Sequence, residues 1–390
     1  MIPSSQAPVY LDYAATTPLD PRVLDAMMPY FTNLYGNPSS IHYFGQQAEA
    51  AVERAREKVA AVLNCQPGEI IFTSCGSESD NQALRGIAFS ERANRQANHL
   101  LISPVEHHAV SRTAMQLKNL HGFELEYLPV DHFGRVSPDE VSKRLRAETA
   151  LVSVVYANNE IGTINPIDEI GAICQSQDIP FHTDAVQAAT YLSLDVQALQ
   201  VDLLSLGAHK FYGPKGVGVL YNRKSARFRL MPVQTGGGQE FGLRAGTQNV
   251  AYIVGLAEAL QLVAENQQVW IDRIQPMRDA LIGRVLETIP DSRLTGHPRK
   301  RLPNHASFAF YGIDGNALIT ILDVEGFACS SGSACKTGNP EPSDVLTAIG
   351  LDRSWALGSL RITLGAHTTP DQIDRLVAIL PEAIERARLR

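Results

Sequence analysis

An α/β chain on a mostly parallel sheet is predicted by three observations. Short apolar, strand-like runs alternate with amphipathic helical segments from residue 46 to about residue 220, the pattern of a sheet covered by helices on both faces. Polar residues fall where several of these strands end: His107, Asn158, Asp184 and His209. In open α/β sheets that edge is where ligands bind. After residue 250 the texture shifts to a long helical stretch and then a smaller α+β pattern, which predicts a second, smaller domain. The expected division is a large domain over residues 15–260 and a small one made of residues 1–14 and 261–390.

Residues 11–18, LDYAATTP, read as a short strand running into a turn, and residues 36–45, GNPSSIHYFG, as a loop dense in turn formers. Residues 46–64 read as a helix with Val52, Ala55, Val59, Val62 and Leu63 on one stripe. In EIIFTSCGSESDNQALRGIAF, residues 70–73 are a strand, 74–77 a tight turn, and a helix follows from Glu78. Ser77 is an ordinary N-cap on this stretch alone. Alternatively, Gly76 and Ser77 open an anion site, where free backbone N–H groups and the helix dipole face a ligand.

Further strands are expected at residues 99–103, 125–130, 150–156, 179–184 and 201–205. Helices are expected at 110–120 and at 138–145, where Ser137 caps and Pro138 suits the first helical position. Beyond the long helix at 250–288 come a strand at 305–310, a helix at 315–324, a strand at 359–364 and a final helix at 370–388. Residues 329–346, CSSGSACKTGNPEPSDVL, form a loop long enough to be functional.

The chain has 390 residues and a net charge of −7, with 44% hydrophobic and 19% charged residues. That composition excludes bulk disorder and gives no support to a nucleic-acid-binding surface. No apolar run is long enough to span a bilayer, and the opening residues carry neither a charged n-region nor an apolar h-region. The five cysteines, Cys65, Cys75, Cys174, Cys329 and Cys335, form no CxxC pair and no zinc-type spacing. Such a set fits a reducing compartment, so a cytoplasmic protein without a resident metal is expected.

The strand at 201–205 runs into Gly207-Ala208-His209-Lys210, and Gly213, Pro214, Gly216 and Gly218 then keep the chain in turns. On this stretch alone Lys210 reads as a surface lysine in a glycine-rich turn; alternatively, a lysine held semi-buried past the strand has a lowered pKa and is a usable amine nucleophile, suited to Schiff-base formation with an aldehyde. Asp184 ends another strand 26 residues earlier. That spacing leaves room for a crossover and one more strand, so both residues can lie at one sheet edge. Pyridoxal phosphate (PLP) enzymes need such a lysine, and a carboxylate on the pyridine nitrogen.

The segment HTDAVQAATYLSLDVQALQVDLLSLGAHKFYGPKGVGVL resembles the lysine region of the class V aminotransferase-like PLP enzymes. More narrowly, SSGSAC followed by Glu341-Pro342-Ser343 resembles the catalytic loop of the group I cysteine desulfurases. The likeness runs from LDYAATTP to SLRITLG, nearly the whole chain. It implies the PLP-dependent transferase fold, the aspartate aminotransferase-like fold type I. It also implies conversion of L-cysteine to L-alanine, with the sulfur passed to a Cys335 persulfide and on to an acceptor. That acceptor would serve iron–sulfur cluster assembly, as an iron–sulfur scaffold protein does, or tRNA thiolation. A cluster or its iron would use Cys335 only in passing.

Site roles follow from the same resemblance. Lys210 would hold PLP, Asp184 pair with the ring nitrogen, and His107 stack on the ring and assist proton transfer. Asn158 and Gln187 would bond the phenolic oxygen or the substrate, and Gly76, Ser77, Ser205 and His209 the phosphate. Thr247 matches a residue that reaches the phosphate from the neighbouring subunit, which implies a homodimer. Arg361 and Asn37 match contacts to the substrate carboxylate. Singly, His107 and His209 read as core histidines, Asn158 and Gln187 as structural hydrogen bonders, and Arg361 as a surface ion-pair residue. Their joint occurrence in order makes the set specific. Cys329 reads as a packed small hydrophobe beside the nucleophile Cys335. Cys75-Gly76-Ser77 stands where the family often has Gly-Ala-Thr, and the residues after Cys335 also depart from the common pattern. The other readings are a selenocysteine or cystine C–S lyase, an aminotransferase on the same fold, and a non-catalytic scaffold.

Overall fold

A computed structural model describes residues 7–224, 227–332 and 341–388. Among them, the strands are β1 (Val9–Tyr10), β2 (Ile70–Thr73), β3 (His99–Ile102), β4 (Glu124–Tyr127), β5 (Thr149–Ser153), β6 (Phe181–Asp184), β7 (Leu203–Gly207), β8 (Gly218–Asn222), β9 (Ser292–Leu294), β10 (His305–Phe310), β11 (Phe327–Ala328) and β12 (Ser359–Thr363). Strands β2 to β8 form one seven-stranded sheet in the order β2-β8-β7-β6-β5-β3-β4. The pairs from β7 through β4 are parallel, and β8 runs antiparallel to both its neighbours. The α/β class read from the alternating pattern is therefore observed.

The sheet is buried on both faces because successive side chains alternate. Along β7, Leu204 and Leu206 join the core on one side, with Val219 and Tyr221 of β8. Leu203 and Leu220 join the other, with Ala83, Leu84 and Ile87 of the Gly76–Arg95 helix. A separate three-stranded antiparallel sheet, β12-β10-β9, and the parallel pair β1–β11 lie outside the large sheet. The helix Val250–Thr288 has the bounds its sequence suggests.

Three expectations need correction. The strand placed at 201–205 is β7, which starts and ends two residues later. The residues after Lys210 turn only as far as Gly216. The chain then returns as β8, a strand the glycine-rich composition concealed. The first strand is Val9–Tyr10 rather than 11–18, and residues 13–15 already form a turn.

One buried ion pair ties the segment before the long helix to β2. Arg56, 2% exposed, donates Nη1 to Glu240 Oε2 at 2.8 Å and Nη2 to Oε1 at 3.0 Å. The same Nη1 also donates to the Ile70 carbonyl, and the Phe72 amide donates to Glu240 Oε2. Glu240→Ala would leave the buried guanidinium with only the half-exposed Glu53 carboxylate at 3.1 Å, which destabilises by roughly 3 kcal/mol. The expected result is a lower denaturation midpoint at unchanged slope in guanidinium titrations.

Candidate active site

The C-terminal ends of β6 and β7 deliver the site. Asp184 is the last residue of β6 and pairs in register with Ser205 of β7. After β7, a single 3₁₀ turn, Ala208–Lys210, turns His209 and Lys210 toward the same edge. A cavity of about 280 Å³ opens there. Its wall includes Gly76, Ser77, His107, Asp184, Gln187, His209, Lys210 and Arg361. Eight of the residues expected at the site thus share one cavity, although they come from segments spread over 285 positions (361 − 76).

Lys210 Nζ donates to the carbonyls of Ala14 at 2.6 Å and Ala15 at 2.7 Å. Burial, reinforced by the Arg361 charge, lowers its pKa to about 8. Asp184 is 5% exposed, and its Oδ1 accepts from the Val186 amide at 2.9 Å, which leaves the second oxygen for the cavity. His107 caps the helix His108–His121 by accepting from the Ala109 amide at Nδ1, 3.2 Å away. Burial lowers its pKa, so the ring is neutral near pH 7 and carries its proton on Nε2. Burial likewise lowers His209 to about 4, and its Nδ1 lies 3.1 Å from Thr16 Oγ1.

The Gly76–Arg95 helix starts two residues earlier than expected, and its N-cap is Cys75, which makes no side-chain capping bond. Ser77 is therefore inside the first turn, and that turn opens on the cavity. A Cβ on Gly76 would lie 2.7 Å from Val186 Cγ2, so a larger residue here needs the Val186 side chain to shift. Arg361, on β12, donates Nη2 to Asp12 Oδ1 at 2.7 Å and Nη1 to the Asn159 carbonyl at 3.0 Å, while its buried Nε has no partner.

Four expected residues are not at the cavity wall. Ser205 lies inside the β7 ladder, fully buried, and its hydroxyl is engaged with His182 Nε2 at 3.0 Å. The strand runs on to Gly207, and it is Gly207 that lines the cavity, so the phosphate contact expected of Ser205 is corrected. Asn158 is also fully buried. Its Nδ2 donates to the Val105 carbonyl and its Oδ1 accepts from the amides of Glu160 and Ile161. Asn159 is the neighbour at the wall. Asn37 is exposed in a loop, where its Oδ1 accepts from the Ser39 amide, and Thr247 is exposed as well. Cys335 lies outside the described residues. Cys329, packed against the core, has its thiol pushed up by burial.

Sequence reasoning missed Cys75, Asp80, Val186, Asn159 and Gly207, all of which line the cavity, and Asp12, which holds Arg361. The Asn158-Asn159 doublet signals one polar contact without telling which residue makes it. Asp80 follows Ser77 by less than one helical turn and so shares its side of the helix.

A family model, aminotransferase class-V, matches residues 9–376. A cysteine desulfurase IscS of Dictyoglomus turgidum is 47% identical over 380 residues, covering 97% of this chain and 95% of that protein. The enzyme of the same name from Methanosarcina thermophila is 46% identical over 380 residues, covering 97% and 93%. Among solved structures, a NifS-like protein superposes with a TM-score of 0.89 at 37% identity, covering 97% of this chain and all of that one. A structure described as SspA in complex with cysteine has a TM-score of 0.79 at 36% identity, covering 93% and 100%. A full-length likeness at this identity, on the same α/β architecture, places the chain in the aminotransferase class-V family, among its cysteine desulfurases.

Proposed function

We propose that the chain is a PLP-dependent cysteine desulfurase, which converts L-cysteine to L-alanine and leaves the sulfur on Cys335. The observation that carries this is one buried amine, Lys210, sharing a cavity with the Asp184 carboxyl and an uncapped helix N-terminus.

PLP makes three demands, and the residues present fit each. Its aldehyde requires an amine that can give up its proton near physiological pH, and burial lowers Lys210 to about 8. Its ring nitrogen requires a buried acid, and Asp184 has an oxygen left for the cavity. Its phosphate requires donors without a competing side chain, and the first turn at Gly76 and Ser77 meets that need together with His209. When bound, PLP withdraws electrons from an attached amino acid and weakens the bonds at its α- and β-carbons.

The remaining work falls to the chain. Lys210 exchanges a proton at Nζ, because its pKa lies near the working pH. His107 holds a proton at Nε2. Gln187 is anchored through Nε2 to the Ala14 carbonyl at 2.8 Å and turns its amide oxygen to hydrogen-bond donors in the cavity. Arg361, oriented by Asp12 and Asn159, supplies the positive charge at the cavity wall for the substrate carboxylate. The substrate C–S bond breaks as its sulfur joins the Cys335 thiolate, and the carbon left behind takes up a proton. The persulfide then passes to an acceptor such as an iron–sulfur scaffold protein.

A homodimer is part of the same proposal. An exposed apolar surface supports it: Ile41 is 93% exposed, and nearby Tyr35, Tyr43 and Phe44 form an exposed aromatic group with Tyr35 and Phe44 stacked at 5.9 Å. Thr247 and Asn37, away from their own cavity, would act across that interface. The division into residues 15–260 against 1–14 and 261–390 is likewise proposed. The pairing of β1 with β11 supports it. Among the described residues no helix is long and apolar enough to cross a membrane, and a reducing, cytoplasmic setting suits the free thiols.

The test is borohydride reduction of the PLP-loaded protein, followed by peptide mass mapping. The expected result is a yellow protein whose pyridoxyl group is fixed at Lys210. A colourless protein, or label at any other lysine, overturns the proposal.

A further inference from the structure

Behind Asp184 lies a second carboxyl that none of the steps above uses. Asp80, on the Gly76–Arg95 helix, is 1% exposed, yet it reaches the cavity wall. One ligand-type atom from each of Asp80, His107 and Asp184 falls within 4.8 Å of the other two. Asp80 Oδ1 has no hydrogen-bond partner and lies 3.6 Å from His182 Nε2. The Ser205 hydroxyl meets the same His182 Nε2 at 3.0 Å. His182 Nδ1 lies 2.9 Å from Ser153 Oγ, so a polar string runs under the sheet edge from Ser153 to Asp80.

Two buried carboxyls this close do not both ionise, and one proton is shared between them. The surroundings decide where it stays. Burial raises the Asp184 carboxyl, but the Lys210 charge and the Val186 amide pull it back toward its anion, as His107 does when protonated. Asp80 faces Asp184, Glu106 and Cys75, none of which supplies positive charge, while His182 is held neutral by burial and titrates at about 3. Glu106 is itself buried, and burial, with Asp184 adding to the effect, pushes its carboxyl well above the usual range. Lys210, at about 8, contributes its charge to Asp184 and not to Asp80. Placing the proton on Asp80 Oδ1 also removes the penalty of a bare, unpartnered carboxylate oxygen.

We propose that Asp80 is a positioning residue: a neutral carboxylic acid packed beside Asp184, so that Asp184 remains the one anion under the cofactor ring. It acts through Asp184 and does not itself react. This rests on PLP being bound over Asp184.

The test compares PLP-loaded native protein with Asp80→Asn and Asp80→Leu. Asparagine keeps a neutral group with a donor in the same place, whereas leucine keeps the bulk and loses the donor. Three readouts are taken: the pH midpoint of the cofactor's visible band, PLP affinity by fluorescence, and the infrared carbonyl band of a protonated carboxylic acid at neutral pH. The expected results are a midpoint displaced by about one pH unit and PLP affinity weakened by about tenfold in Asp80→Leu. Asp80→Asn should restore both toward native values. Part of the infrared band should vanish in both variants. Native values in Asp80→Leu overturn the proposal. So does an infrared band that Asp80→Asn leaves intact, or an Asp80→Asn midpoint as displaced as that of Asp80→Leu. If Asp80→Leu does not fold, the infrared and midpoint comparison of native with Asp80→Asn decides alone. The native visible band is the control: its absence defeats the cofactor assignment, whereas its presence with an unexpected Asp80→Asn spectrum defeats only the role of Asp80.

Discussion

Lys210→Met is expected to lower cysteine desulfurase turnover by roughly 10³-fold or more, and at the same time to stabilise the cofactor-free protein. Both effects have one source. The ammonium sits at the end of β7 in a cavity wall, its hydrogen bonds go to two carbonyls, and burial brings its pKa down from 10.5 to about 8. A folded state that lowers a lysine's pKa binds fewer protons than the unfolded chain, so stability rises with pH between about 8 and 10.5. The cost of keeping the ammonium is therefore largest below pH 8. Methionine fills much the same volume without a charge. The gain in unfolding free energy is on the order of 1–3 kcal/mol at pH 7, fading by about pH 10.5. Denaturant titrations at the two pH values measure it, alongside alanine production from cysteine. Equal stability of the two proteins at pH 7 would mean that the lysine is not strained, and retained turnover would mean that another amine holds the cofactor.

The fold class and the main wall of the cavity were legible because they depend on local patterns. The strand-helix alternation, Asp184 at a strand end and Lys210 before a glycine-rich turn all lie in stretches of a few residues. What the pattern could not supply was register. A two-residue error in the end of β7 put Ser205 at the sheet edge, although it belongs inside the ladder opposite Asp184. A one-residue ambiguity put Asn158 at the wall in place of Asn159. A shift of two residues keeps the face of a strand but moves a side chain about 7 Å along it, which takes Ser205 from the sheet edge into the ladder. Asp12 and Arg361 show a different limit. They are 349 positions apart, and only their contact at 2.7 Å reveals that the first residues of the small sheet orient the arginine. Asp80 was hidden because a polar residue in the first two turns of a helix reads as solvated, and burial on the sheet side is a tertiary fact.

Cys335→Ser is expected to abolish persulfide formation and to cut alanine production at least about 100-fold, as removal of a nucleophile does. The described flanks of its loop lie beside the cavity. Ser330 exchanges backbone hydrogen bonds with Arg361, at 3.2 and 2.7 Å, and Arg361 lines the cavity. The Gly332 amide donates to Ser359 Oγ at 3.1 Å. On the far side, Ser343 caps the helix Asp344–Ala348 and its hydroxyl donates to Glu160, the residue after Asn159 of the cavity wall. Cys335 follows Gly332 by three residues, a reach of at most about 10 Å. The other thiols are poorer candidates. Burial raises Cys65 to about 12 and pushes Cys174 and Cys329 higher still, so they carry almost no thiolate at neutral pH. Cys75 lines the cavity and is the one rival, which makes the position of the transferred sulfur the decisive measurement. With isotopically labelled cysteine, peptide mass mapping should find the extra sulfur on residue 335 of the parental protein and on no residue of the Cys335→Ser variant. A lyase that expels sulfur directly would behave differently: alanine and zero-valent sulfur would form at the parental rate in the variant. Label on Cys75 in the parental protein would move the nucleophile from the loop to the helix that cradles the phosphate, and would reassign the sulfur-transfer step while leaving Lys210 and Asp184 in place.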